Sequence, residues 1–520
     1  MFKKTFIRNR MRIVRKSPNT LVLLVVIGIL LSCQGKVETD TRPNILWIYV
    51  EDISPDLGCY GNTLVQTPHL DQVAADGMLF TNAIVPAPVC SPIRSAMITG
   101  VMQTTLGLHN HHSSRTETSA IHLPDSIITL PELFKQAGYF TFNSGKDDYN
   151  FWYNREELYS GQYTEHPLYG KSGKPIDWKS RPDLEQPFFG QIQLRGGKHV
   201  YREDFKQRVT NPVDRSQVQL PPYYPQDSIF VEEWAEYLDT QQITDQEVGE
   251  IINRLKEDGL LENTIIFFFA DHGMRALRHK QFLYEGGLKV PFVLTSYSNE
   301  MKVPQGVVNE HLINLLDISA TTLSLAGIPL PSYLDGEDLL AKGHSPREFV
   351  ISARDRCDYT IDRIRSVRSK RYKYIRNFFT DRPALQPNYR DEWESTKYFR
   401  ELHRQGKLNA IQAWTLSENR PSEELYDLTD DPYELVNLVD SLPFKPVLEE
   451  HRNILQGWIA ETNDQGQYPE DEEGLKFMLG IWDEQAVNPE YQRIREENEG
   501  LAGSLSARRF ERPKLVESKN

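Results

Sequence analysis

Two stretches of the chain are apolar at every position and then stop abruptly in charge. Asn44-Ile45-Leu46-Trp47-Ile48-Tyr49-Val50 runs into Glu51-Asp52, and Thr264-Ile265-Ile266-Phe267-Phe268-Phe269-Ala270 runs into Asp271-His272-Gly273. Unbroken apolar runs of this length suit strands of a parallel sheet buried on both faces. Pro187 to Leu194 predicts a further strand, leading into Arg195-Gly196-Gly197-Lys198-His199, and Tyr139 to Lys146 predicts a strand and turn. Between them the pattern turns helical. Thr67 to Gly77 reads as a capped helix with a glycine stop, Pro131 to Ala137 as a short helix, and Glu232 to Gly259 as a long amphipathic one. Strands alternating with helices predict an α/β core over residues 44–345. Beyond Gly343 the period changes. Ile364 to Arg368 and Tyr372 to Arg376 alternate as hairpin strands, and Glu424 to Glu434 reads as a closing strand and turn. Residues 346–491 are therefore expected to form a smaller α+β subdomain with an antiparallel sheet. There is no internal repeat.

The N-terminus reads differently. Lys3, Lys4, Arg8, Arg10, Arg12, Arg15 and Lys16 precede an apolar run from Leu21 to Leu31, too short to span a bilayer comfortably, which ends in Leu30-Leu31-Ser32-Cys33. This is the pattern of a bacterial lipoprotein signal peptide over 1–32, cleaved so that Cys33 is lipidated and residues 33–43 form a tether. The expectation is an exported lipoprotein, periplasmic or anchored at the outer membrane, touching membrane through its lipid alone. Residues 492–520 read as a charged tail. A net charge of −14 excludes a binder of nucleic-acid backbone, which needs a basic face. Of the four cysteines, Cys59 and Cys357 either pair or remain as free, buried thiols.

The candidate chemistry gathers around Pro88 to Gly100. Pro92 suits a first helical turn, Ser91 an N-cap and Gly100 a stop, so Cys90 is expected at the positive end of a helix dipole. Arg94, four residues on, reaches back over the same turn. Ligands gather at the carboxyl ends of strands in open α/β sheets, and two buried strands each delivering a potential ligand pair suggest a bound cation. Carboxylate oxygen favours a hard ion, and the His272 nitrogen a softer one. Gly107-Leu108-His109-Asn110-His111-His112 reads as a loop facing substrate. The Tyr-, Trp- and Gly-rich stretch 150–186 is an irregular insertion, its aromatics either a carbohydrate surface or core.

Cys90-Ser91-Pro92-Ile93-Arg94 with Thr99-Gly100 resembles the maturation motif of the formylglycine-dependent sulfatases, in which this cysteine is oxidised to an aldehyde. Gly138-Tyr139 with Gly145-Lys146, the loop Arg278 to Pro291 and Glu424-Leu425-Tyr426-Asp427 resemble further motifs of that family, nearest to its heparan N-sulfatase branch. The resemblance spans roughly Arg42 to Asn463. The chain departs from the usual pattern in having Ile93 for a small residue, Glu51 for Asp, His272 for Asn, Asp148 for His, Lys198 for His and Lys289 for Arg.

The resemblance implies an alkaline-phosphatase-like α/β/α core and a sulfuric ester hydrolase. Its cofactors would be formylglycine (3-oxoalanine) made from Cys90 and one Ca²⁺ held by Glu51, Asp52, Cys90 in its oxidised form, Asp271 and His272. Lys146, Lys280 and the loop at Lys198-His199 would offset sulfate charge, Arg94 would hold the reactive residue, and His109 and His112 would meet substrate. A formylglycine-generating or sulfatase-maturating enzyme would be a partner, and a sulfated polysaccharide of ulvan or heparan type the substrate. Two alternatives are a phosphate or phosphonate esterase of the same superfamily and a catalytically dead, glycan-binding surface protein.

Overall fold

The structure is a computed structural model that describes residues 42–114, 118–161, 176–298, 301 and 303–497. The signal peptide, the tether and Cys33 lie outside the described residues, as does the tail beyond Glu497.

Eight strands form one mixed sheet: β1 (Asn44–Val50), β2 (Gly77–Ile84), β3 (Phe140–Ser144), β4 (Phe188–Leu194), β5 (Thr264–Ala270), β6 (Lys289–Ser296), β7 (Val307–Asn309) and β8 (Ile313–Asn314). Their order is β3-β4-β1-β5-β6-β2-β7, with β8 also on β2. The two continuous apolar runs are β1 and β5, buried at every position and paired in parallel at the centre. Trp47 locks the middle: its ring meets Phe189 and Phe269 edge-on at 5.3 Å, and its indole N–H donates to Thr322 Oγ1 at 2.9 Å. Such edge-to-face contacts add to the burial of the rings themselves. β6 runs antiparallel to both β5 and β2, so the sheet is not wholly parallel.

Two groups of helices pack onto the sheet. Cys90–Thr99, Leu130–Gln136 and Asp317–Leu325 contact one another, and Pro68–Ala75 contacts the long helix Ser228–Glu257. A second, antiparallel sheet has the order β12-β11-β10-β9, from β9 (Phe349–Arg354), β10 (Ile364–Ser369), β11 (Tyr372–Asn377) and β12 (Glu423–Asp427). The expected hairpin is present as β10 and β11. The described residues from Arg42 onward pack as one compact unit. Helix Pro489–Glu497 includes the first residues assigned to the tail.

In the stretch 150–186, Phe151, Tyr159 and Trp178 are buried while Trp152 is exposed, so the described aromatics serve mainly as packing. Cys59, Cys90 and Cys357 are free thiols. Among the described residues no helix is long and apolar enough to cross a membrane.

Candidate active site

Register builds the site. β1 pairs Val50 with Leu194 of β4 on one side and with Ala270 of β5 on the other, and β3 pairs Ser144 with Ile192 of β4. The residues that follow each strand therefore emerge at one edge of the sheet: Glu51-Asp52, Asp271-His272, the 195–199 loop and Lys146. Gly196 and Gly197 let the third of these close in. A Cβ on Gly196 would lie 2.1 Å from the Glu51 carbonyl oxygen and one on Gly197 2.4 Å from that of Asp52. Gly196 also has φ +49, which glycine adopts without a steric penalty.

Cys90 is the first residue of its helix, with Val89 in the cap position and no side-chain cap. Ser91 is therefore not the cap; its hydroxyl accepts the backbone N–H of His112 at 3.2 Å. The Cys90 Sγ faces His272 Nε2 at 3.1 Å and Lys280 Nζ at 3.4 Å. Burial pushes the thiol up, but the charges of Lys146, Lys280, Lys198 and His272 outweigh it and bring it down to about 6.

Lys280 donates to Asp52 Oδ1 at 2.8 Å, Lys146 to Glu51 Oε1 at 2.6 Å, and Lys198 lies 2.9 Å from Glu51 Oε2. Burial opposes charge on Glu51 and Asp52, yet these ammonium groups hold both carboxyls well below the usual range. Arg94 lies beneath them. It donates to Gln193 Oε1 at 2.6 Å, approaches Glu51 and Asp271 at 3.4 and 3.3 Å, and stacks on the Tyr49 ring. Its role here is to brace the carboxylates. Arg94, Lys146, Lys198 and Lys280 are matched in number by the carboxylates of Glu51, Asp52, Asp271 and Asp148, the last 3.1 Å from Lys146.

The donor set fits a divalent cation. Single ligand atoms of Asp52, Cys90 and His272 lie within 4.8 Å of one another, as do those of Glu51, Cys90 and Asp271. His272 Nδ1 donates to the Gly273 carbonyl at 2.9 Å, so Nε2 is the nitrogen turned toward Cys90 and the one that would ligate a cation when the ring is neutral.

Other predicted residues lie elsewhere. His199 is turned to the long helix, where Nε2 meets Glu247 at 3.1 Å and Nδ1 meets Arg208 at 3.2 Å. Successive residues of a tight 3₁₀ turn point in different directions, so only Lys198 of that pair reaches the cluster. His109 lines a separate groove of about 280 Å³ with Gln465, Tyr468 and Glu470. His112 approaches the cluster through Asp148, its Nε2 3.1 Å from Asp148 Oδ1, while Asp148 Oδ2 is 3.1 Å from Lys146.

Sequence reasoning missed Gln193 and Arg390. Arg390 donates to the Lys280 carbonyl at 2.7 Å and to Gln281 Oε1 at 2.9 Å, and so fixes the loop carrying Lys280. Gln193 ends a predicted strand and was open to inspection; Arg390 lies in a loop far along the chain, with no local signal.

A mixed α/β sheet whose strand ends gather buried cations and carboxylates around one nucleophilic side chain is equipped to hold an oxyanion there and to stabilise charge that develops on it. Comparison with known proteins identifies the oxyanion. The model of the Sulfatase family matches residues 43–328. An ulvan-active sulfatase of Formosa agariphila is 30% identical over 477 residues, covering 83% of this chain and 77% of that protein. The N-sulphoglucosamine sulphohydrolase of Homo sapiens is 26% identical over 497 residues, covering 86% and 94%. The solved structure of a 2-O GAG sulfatase shares the fold, with a TM-score of 0.61 at 20% identity over 84% of this chain and 96% of that one. The chain belongs to the sulfatase family and is a sulfuric ester hydrolase.

Proposed function

We propose that the protein removes sulfate groups from a sulfated polysaccharide or its oligosaccharides, of ulvan or heparan type, with residue 90 acting after oxidation to formylglycine. The observation that carries this reading is the position of Cys90: a buried side chain at a helix N-terminus, 3.1 Å from His272 Nε2 and 3.4 Å from Lys280 Nζ, among the strand-end ligands Glu51, Asp52, Asp271 and His272. The names of the ulvan-active and N-sulphoglucosamine relatives support a sulfated carbohydrate.

Oxidised to the aldehyde and hydrated, residue 90 would supply a hydroxyl nucleophile where the thiol now lies. A divalent cation, calcium by its oxygen-rich donors, would be held by Glu51, Asp52, Asp271 and His272 and would supply Lewis-acid charge beside residue 90. The chain does the rest. Lys146, Lys198 and Lys280 exchange carboxylate partners for sulfate oxygens and stabilise charge as it builds there. Arg94, pinned by Gln193 and Tyr49, keeps Glu51 and Asp271 aimed at residue 90. A sulfatase-maturating enzyme would act on Cys90 before folding buries it. Export and lipid anchoring at Cys33 would bring the enzyme to polysaccharide outside the cytoplasm.

The test is sulfate release from ulvan and heparin oligosaccharides by matured protein, with Cys90→Ala as control. Release from either, absent in the variant, is expected. Turnover of a small aryl or lipid sulfate with none from either carbohydrate would reject the polysaccharide substrate.

A further inference from the structure

At the outer edge of the cluster stand three aromatic residues and an arginine that take no part in it. Tyr201 ends the 3₁₀ turn Gly196–Tyr201 that carries Lys198. Side chains three apart in such a turn eclipse one another, so Tyr201 lies on the same side as Lys198. Arg275 follows His272 by three residues, in the loop that leads to Lys280. Tyr389 and Trp393 lie either side of Arg390, which holds that same loop at the Lys280 carbonyl. Three separate segments, each carrying or fixing a residue of the cluster, therefore meet here.

Their contact is direct. The Arg275 guanidinium lies over the Tyr201 ring and over the Trp393 ring, 4.5 Å from each centroid, and donates to the Tyr201 hydroxyl. Tyr389 meets Trp393 edge-on at 5.7 Å. The hydroxyls of Tyr201 and Tyr389 both feel the charges of Lys280 and Asp52, so the group is within electrostatic reach of the cluster. It is also further out: the Lys198 side chain is 25% exposed, whereas Tyr201 is 55% exposed.

Arg275 differs from the lysines of the site. Lys146, Lys198 and Lys280 each hold a carboxylate. Among the described residues none is in ion-pair contact with Arg275. Glu233 and Glu236 of the long helix lie on that flank, but Glu233 only lines a small cavity beside it and Glu236 approaches Lys206 at 3.8 Å instead. Two aromatic faces hold the guanidinium in place through its charge. Its planar fork matches a carboxylate or a sulfate.

We propose that Tyr201, Arg275 and Trp393 form a subsite for an acidic sugar adjoining the sulfated one; the proposal rests on the polysaccharide reading above. Sulfate held among the buried lysines leaves the rest of the saccharide on the exposed side, and on the Lys198 flank that side is Tyr201. A pyranose has an apolar C–H face and a polar edge. Its face packs on the Tyr201 ring, and an anionic group at its edge, a uronic carboxylate or a second sulfate, pairs with Arg275, which Trp393 keeps in position.

The test compares matured wild type with Arg275→Gln and Tyr201→Leu, matched for residue-90 conversion by peptide mass. Sulfate release is measured from ulvan and heparin oligosaccharides that are native, carboxyl-reduced, or carboxyl-reduced with one sulfate left. On the native forms Arg275→Gln should lose ~10-fold or more in kcat/KM and Tyr201→Leu ~3-fold or more. Removing the anion from the sugar and the guanidinium from the protein should not add, because they are two halves of one contact. Where the Arg275→Gln loss disappears on carboxyl reduction, the anion is the uronate; where it disappears only with one sulfate left, the anion is a second sulfate. Losses that add in full, or native oligosaccharides turned over normally by either variant, overturn the subsite and leave the polysaccharide substrate in place. Wild type that turns over a small aryl or lipid sulfate and none of the oligosaccharides overturns both.

Discussion

Lys373 is fully buried on β11 and bridges two carboxylates, Glu285 at 2.7 Å and Glu434 at 3.0 Å. Glu434 Oε2 also accepts the backbone N–H of Glu285 at 2.7 Å, at the end of the loop that carries Lys280. Lys373→Met removes the cation and keeps much of the volume. Glu285 retains Arg368 at 3.3 Å, but Glu434 is left buried with no ion-pair partner of its own. Losing one member of a buried pair costs about 3–5 kcal/mol, enough to lower the melting temperature by several degrees. Burial already raises the Glu434 carboxyl; Lys373 restrains that rise and Glu285 adds to it. In the variant the rise is larger. A carboxyl whose folded value lies above its unfolded value adds stability that is complete below the unfolded value and lost as pH rises through the folded one. The deficit relative to wild type should therefore be smaller at pH 5 than at pH 8, without vanishing, because Glu285 stays ionised and loses Lys373 at both. Adding Glu434→Gln should recover about half of it at pH 8, because the uncompensated charge is then gone. Calorimetric melting of the three proteins at both pH values reads this. A melting temperature unchanged in Lys373→Met, or a deficit equal at pH 5 and pH 8, would refute the reasoning.

Arg390→Ala strands the buried Lys280 carbonyl and Gln281 amide oxygen, and should cost about 2–4 kcal/mol while weakening inhibition by inorganic sulfate; unchanged inhibition would detach the Lys280 loop from anion binding. Gly197→Ala sets a Cβ against the Asp52 carbonyl, so turnover should fall at least ~10-fold with displacement of Lys198; normal turnover would show that the two loops separate easily. Chelation should abolish turnover and calcium should restore it, with His272→Asn remaining within ~5-fold of wild type; active protein containing only zinc would assign the metal to the imidazole nitrogen.

The central strands were legible because residues buried on both faces leave an unbroken apolar run, and their acidic ends because charge after such a run has nowhere to go but the sheet edge. β2 and β6 were not foreseen: Gly77, Asn82 and Pro291 interrupt their patterns, and pairing with neighbours stabilises them. Glu51, Asp52, Asp271, His272, Cys90 and the three lysines were read in the chain and meet in space. Of Lys198 and His199, which the sequence offered together, the tight turn brings only Lys198 to the cluster. The bond between His112 and Asp148 joins loops that no sequence period relates, and Arg390 reaches Lys280 only through the packing of the second sheet's connections.

Residue 90 decides the chemistry. In protein produced together with a sulfatase-maturating enzyme, the peptide spanning it should carry the mass of an aldehyde in place of a thiol. Sulfate release from carbohydrate should rise in proportion to the converted fraction and vanish in Cys90→Ala. Full turnover by protein whose residue 90 is still a thiol, or by Cys90→Ala, would contradict the mechanism.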